Sequence, residues 1–185
     1  MKLEVSDYTK LLVRQVVVIS TISENGISNA APFSLNSPIS FSPPLYGFSS
    51  NPNHHTWKNI QKTKEFVVNV VGSNFGELME VLESPYEYEV SEIEKAGLTE
   101  EKAEMVKPPR IAEANAWIEC RLNDSVVLGN HVWVVGEVIC AGVKDDLWSD
   151  KAVLDLNKAN ALCHMGGKFF ASDSRIKEYN RAQRK

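Results

Sequence analysis

The stretch VVVISTISENGISNAAPFS, residues 16–34, decides the fold. Its first half, Val16 to Ser23, is rich in β-branched residues, which suit a pleated surface, and reads as a buried strand. Asn25-Gly26 then supplies the dipeptide favoured in a type I′ hairpin turn, whose two central residues must both tolerate positive φ. Ile27 to Ser34 is the expected return strand. Around Phe33 it carries Asn29, Ala30, Ala31, Pro32 and Ser34, where a core strand would carry Val or Ile. Small side chains let either a second backbone or a flat, hydrogen-bonding ligand approach the strand, and the two readings stand level here.

Working outward, Pro38, Pro43 and Pro44 interrupt the chain, and Pro44 to Ser50 reads as a strand with proline at its first position, where a missing N–H does least harm. HTWKNIQKTKE (55–65) places Trp57, Ile60 and Gln61 on one side of a helix, with Lys58, Lys62 and Lys64 largely elsewhere. FVVNVV (66–71) is a further core strand. Ser73 or Asn74 is the expected cap of a second helix, whose Phe75, Leu78, Met79 and Leu82 recur at helical spacing and whose end is marked by Pro85. Residues 86–109 are rich in glutamate and lysine and read as a solvated excursion without a core of its own. Residues 114–127 and 132–143 are two long strands joined at Gly129-Asn130. The second, VWVVGEVICAGV, is so continuously apolar that both faces should be covered. The polar tail, 174–185, is expected to fray or to form a surface helix. About six strands with mostly hairpin connections imply a single domain over 1–185, mainly β: an antiparallel β-barrel with peripheral helices rather than a doubly wound sheet.

A formal net charge of -4 argues against nucleic acid as a partner, because such binders show a basic face. Cys120, Cys140 and Cys163 lie far apart with no CxxC pair, so no metal ligation is expected and buried, reduced thiols are. No apolar run approaches the roughly 20 residues of a membrane helix, and the N-terminus lacks a signal-peptide core. A soluble cytoplasmic protein is the expectation. The GxGxxG and GxxxxGK[ST] loops, the GxSxG elbow and HExxH are all absent.

Chemistry-bearing residues concentrate in SSNPNHHTWKNI (49–60), which runs from a strand end through a proline turn into a helix start. The free amides and dipole of a helix start favour an anion. Ser49, Ser50, His54, His55, Thr56 and Lys58 surround that position, and a phosphate monoester is the natural guest. The competing reading is that Asn53 or Thr56 merely caps the helix. In HMGGKFFA (164–171), Gly166-Gly167 can turn tightly over a ligand or a partner subunit, while His164 reads as structural. No acid–base pair is visible, so no catalytic side chain is assigned and a bound cofactor is expected to do the difficult chemistry.

The ordered blocks NAAPFS, PPLYGFS, TWKNI, EFVVNVV, AGL, PPRIAE, ECRL, GEV and GGKFF, from about Arg14 to Ala171, resemble the flavin reductase-like proteins, a group that includes flavoredoxin and binds FMN in a split β-barrel. The resemblance implies an isoalloxazine edge against the backbone of Asn29, Ala30, Ala31, Pro32, Phe33 and Ser34. It implies a ribityl phosphate beside Ser49, Ser50, Thr56 and Asn59, with His55, Lys58, Gly166 and Gly167 as further contributors. A homodimer with FMN at or near its interface is also implied. So is transfer of hydride from NADH or NADPH to FMN, with the electrons passing to a flavin, a partner protein or a small acceptor. The alternative is a flavoredoxin-like electron carrier that does not itself oxidise a nicotinamide. Many relatives place arginine or lysine before this helix, whereas this chain reads NPNHHT (51–56). Two imidazoles thus replace permanent charge, and a phosphate neighbour favours their charged form.

Overall fold

The hairpin of residues 16–34 forms, but around a different turn. The Gly26 N–H donates to the Ser23 carbonyl (3.0 Å) and the Ser23 N–H to the Ile27 carbonyl (2.8 Å). Gly26 takes φ +83 while Asn25 stays at negative φ. The loop is therefore of the three-residue kind, with glycine at its left-handed position, and not type I′, which needs two such residues.

The computed structural model describes residues 1–177 and 179. Its strands are β1 (Arg14–Gln15), β2 (Val17–Ile22), β3 (Ser28–Phe33), β4 (Asn36–Phe41), β5 (Pro44–Ser50), β6 (Glu65–Val70), β7 (Glu100–Glu101), β8 (Arg110–Ile111), β9 (Ala116–Leu128), β10 (His131–Val143), β11 (Cys163–Gly166) and β12 (Phe169–Ala171). The helices are α1 (His55–Thr63), α2 (Met79–Glu83), α3 (Glu92–Lys95) and α4 (Leu156–Ala159). The main sheet is antiparallel throughout and runs β3-β2-β6-β9-β10-β5-β4; β1-β11-β12 and β7-β8 form two small sheets beside it. Among the described residues no helix is long and apolar enough to cross a membrane.

Alternation along β2 builds two cores. Val17 and Ile19 join Phe33, Phe48, Trp57 and Phe66 inside the curved sheet. Val18 faces the other way, into Ala30, Phe75, Met79, Leu82 and Ile93. Period-two geometry thus explains why β2 is apolar on both sides. The smallness of Ala30 has a packing cause as well, since α2 and α3 cover that face of β3.

Several expectations from sequence change. Gln61 is exposed, and the buried residues of α1 are Thr56, Trp57, Asn59 and Ile60. The second helix is split into a 3-10 segment, Ser73–Leu78, and α2; Gly72 occupies the cap position and neither Ser73 nor Asn74 caps. Gly76 lies within the 3-10 piece, and glycine is a poor α-helix former. The 86–109 excursion is not simply solvated: Ile93 is fully buried and Glu92 nearly so. Nor is β10 covered throughout. It pairs with β5 only over Val132–Glu137, and β9 pairs with β6 only over Ala116–Arg121. Both 13-residue strands outrun their shorter neighbours. Ala141 at one end of the hairpin and Val126, Val127 and Leu128 at the other are consequently exposed. Of the cysteines, Cys120 alone is fully buried. Of the predicted tail, 174–177 and 179 are irregular, and the remainder lies outside the described residues.

The end of the excursion is anchored by charge. Arg110 reaches the fully buried Glu119 carboxylate (Nε–Oε1 2.8 Å) and stacks 4.3 Å from the Trp117 ring centre. The Glu104 and Met105 amides donate to the same carboxylate at 3.0 and 2.6 Å. Burial alone would raise the Glu119 pKa, but these two amides and Arg110 hold it below the usual carboxylate range. Breaking a buried pair leaves an uncompensated charge, so Glu119→Gln should destabilise the fold by about 3 kcal/mol in urea titrations near neutral pH. A depressed folded-state pKa means this stabilisation is complete above the unfolded carboxylate value and is lost as pH falls through the folded one. The gap between wild type and Glu119→Gln should therefore narrow in acid; a gap independent of pH would contradict the assignment.

Candidate functional site

A cavity of about 460 Å³ opens between the edge strand β3 and the start of α1. That volume lies within the range of small-molecule sites. Asn29, Ala31 and Pro32 form one wall, Asn53 to Thr56 a second, and Leu82 to Tyr86 with Glu92 a third. Pro32 has no N–H to offer and the Ala30 N–H is held by Glu92 (3.4 Å to Oε2), so the outer edge of β3 is blunted against pairing with another strand.

Beneath this surface lies a buried polar network centred on Asn29. Its Oδ1 accepts from Thr21 Oγ1 (3.3 Å) and Thr56 Oγ1 (3.1 Å), and its Nδ2 donates to Glu92 Oε1 (2.8 Å). Asn59 Nδ2 donates to Thr21 Oγ1 (3.0 Å), and the Tyr88 hydroxyl donates to Asn59 Oδ1. Four segments meet here: β2, β3, α1 and the 86–109 excursion.

The candidate residues divide accordingly. Asn29, Ala31, Pro32, His55 and Thr56 line the cavity. Ala30 and Phe33 point into the two cores, and Asn59 is buried in the network. Ser50 is buried with its hydroxyl on the Asn51 carbonyl (3.1 Å); Ser49 is half-buried beside it, and Lys58 is exposed. Ser34, Gly166 and Gly167 gather elsewhere, around His164 on β11. The capping alternative for the 49–60 segment is not what occurs: His54 holds the cap position of α1 without a side-chain cap, the Asn53 N–H donates to Asn51 Oδ1, and the Thr56 hydroxyl turns to Asn29. The orphan first-turn amides of a helix are then open to an anion.

Both imidazoles at the helix start titrate low. Partial burial pushes the His54 pKa down, and His131 and His55 add repulsion. For His55 burial again leads, with Lys58 lowering it further and Glu87 and Glu89 opposing. His131, the first residue of β10, acts on His54 through space, since Val132 beside it pairs with Ser50. Sequence reading missed His131, Thr21, Tyr88 and Glu92. For Thr21 a signal existed, a hydroxyl beside Ser20 within a largely apolar run; Glu92 looks like every other glutamate in its segment.

The family model described as "Flavin reductase like domain" matches residues 9–170. The backbone superposes on a split barrel domain protein from Shewanella frigidimarina with a TM-score of 0.87 at 22% identity, covering 97% of this chain and 94% of that one. Flavoredoxin of Desulfovibrio vulgaris gives 0.86 at 16% identity, covering 97% of each chain. An FMN-binding protein from Thermus thermophilus, solved with bound 1-cyclohex-2-enone, gives 0.82 at 19% identity, covering 97% of each. The fold is that of these split barrels.

Thr21→Val keeps the shape of the side chain but removes the hydroxyl that links Asn29 to Asn59. With two buried amides short of a partner, the variant should lose about 2 kcal/mol in chemical denaturation. A change within a few tenths would show that the network does not stabilise the fold.

Proposed function

The chain belongs to the flavin reductase-like family, and from that premise we propose that it holds FMN in the cavity between β3 and α1. There it would act as an oxidoreductase that takes hydride from NADH or NADPH and passes electrons to a flavin, a partner protein or a small acceptor. The observation carrying this reading is the meeting, in one cavity of about 460 Å³, of a blunted edge strand with small side chains and a helix start lacking a side-chain cap.

The residues present fit such a guest. Ala31 and Pro32 leave the β3 backbone approachable by a flat ring, while the first turn of α1 offers amides and a positive dipole end to a phosphate. Thr56 and Asn29 hold that turn against the strand. When bound, FMN supplies the hydride-accepting centre; the protein orients it and limits solvent access. Ser49, Ser50, Lys58 and Asn59 lie on or beside this start, and Asn59 acts by fixing Thr21 rather than from the cavity wall. A homodimer and a cytoplasmic location complete the proposal. The uncovered hairpin tip, where Val127 is 75% exposed, and Phe41, 94% exposed, support the dimer as the surface a second copy would cover.

The absorption spectrum of freshly purified protein, recorded before and after an anaerobic equivalent of NADH or NADPH, is the direct test. A flavin spectrum that bleaches is expected. One that persists would move the protein to the electron carriers, and failure to take up added FMN would overturn the reading. Thr56→Val should raise the Kd for FMN about tenfold by loosening the helix start. Binding should also depend on pH. A phosphate raises the depressed His54 and His55 pKa values, so FMN uptake is coupled to proton uptake. Affinity is then full below the free-protein values and falls as pH rises through those of the complex. Measured above about pH 7, where the monoester is already largely dianionic, the Kd should increase toward mildly alkaline buffer. A constant Kd would show that neither imidazole is held charged by the phosphate in that range.

A further inference from the structure

Beyond the cavity, the β3 wall continues to Ser34, about 7 Å further along the chain than Pro32. The Ser34 hydroxyl lies 3.2 Å from Nδ1 of His164, and Arg14 Nη2 lies 3.2 Å from the same nitrogen. The other ring nitrogen, Nε2, is 3.0 Å from the Gly167 carbonyl oxygen. A guanidinium only donates, so Nδ1 must accept; the ring proton then sits on Nε2 and is donated to Gly167. Arg14 therefore has a neutral imidazole where a carboxylate would be expected. Among the described residues no carboxylate pairs with it. Its Nε is buried and donates to nothing. A cation partly withdrawn from water with an unused N–H is costly, and an oxyanion that accepts from Nε and Nη together offsets that cost. Around it, Gly166 and Gly167 take φ +139 and +53; the Lys10 side chain packs over Gly166, while Gly167 faces open space.

We propose that Arg14, Ser34 and His164 form a binding site for a phosphate oxyanion of the second substrate, the nicotinamide dinucleotide. This rests on the function proposed above. The site differs in its residues from the one assigned to the FMN phosphate at the α1 start, and the two adjoin: the Ser49 N–H donates to the Leu35 carbonyl (2.8 Å) and the Phe33 ring lies 6.4 Å from that of His54. A dinucleotide whose ring reaches the cavity would thus leave its phosphates over the far end of the same wall, where rigid, bidentate donors select phosphate geometry.

The test is a titration of the FMN-loaded protein with inorganic pyrophosphate, followed through the His164 ring signals by NMR and by competition with NADH and NADPH. Pyrophosphate should shift those signals and compete with the dinucleotide while FMN stays bound. Arg14→Gln should weaken pyrophosphate about tenfold or more and raise the KM for the dinucleotide by a similar factor, with the bleaching rate at saturation little changed. Equal pyrophosphate affinity in wild type and Arg14→Gln would overturn the proposal, as would unshifted His164 signals. Displacement of FMN would also overturn it, assigning the anion site to the cofactor instead. Should Arg14→Gln not fold, Ser34→Ala and Arg14→Lys carry the same comparison, with smaller losses expected. If the protein takes up no FMN, the functional reading fails, yet the same titration of the flavin-free protein still decides whether these three residues bind phosphate.

Discussion

Asn29 is a primary amide that sits almost without solvent contact at the junction of strand, helix and excursion. In a low-dielectric interior an amide left short of a partner costs as much as a lost hydrogen bond, and a satisfied chain of such groups polarises and stiffens itself. Thr21, Thr56 and Glu92 meet the needs of Asn29, and Asn59 and Tyr88 extend the chain. Nothing else ties the first turn of α1 to β3 by side-chain hydrogen bonds among the described residues. The angle at which the helix start meets the strand edge, and hence the shape of the cavity, depends on this one amide being fully partnered. Because two of its partners come from α1 and the excursion, those segments cannot shift without opening a buried polar group.

The sheet explains why the cavity lies at this edge. β2 spends both faces on packing, Val17 and Ile19 inward and Val18 outward, so it cannot also bound an open site. β3 lies one strand further out, with neighbours on one side only. Such an edge invites unwanted pairing, and here the fold protects it with a proline and with a carboxylate on the Ala30 amide, neither of which fills the space beside Ala31. The same protection that blunts the edge also leaves it accessible to a small molecule.

How much of this was legible in the sequence follows from which interactions are local. The Val16–Phe33 hairpin, the strand 44–50 and the helix start at His55 are set by β-branching, turn residues and proline, which act within a few positions, and each could be read directly. The turn type was misread because Asn-Gly suits more than one hairpin, and flanking-strand geometry made the choice. The overhang of β9 and β10 was invisible because an apolar run reports that a strand is suited to burial, not that a neighbour is long enough to bury it. Thr56 and Asn59 were correctly placed at the helix start, yet their inward bonds to Asn29 and Thr21 join residues 27 and 38 positions apart. Glu92 was the hardest to see. Its segment is acidic throughout, and only the fold shows that this one carboxylate, and not its neighbours, turns inward.

That carboxylate also lines the cavity. Burial raises the Glu92 pKa, and the hydrogen bonds from its own and the Ala30 backbone amides and from Asn29 only partly oppose the shift. Glu92 and Glu83 share the cavity wall with the α1 start and its two imidazoles, and the Asn29 amide stands between Glu92 and Thr56. The excursion thus contributes the carboxylate that completes the partnering of Asn29 and the Ala30 amide, a role its composition suits and its position alone reveals.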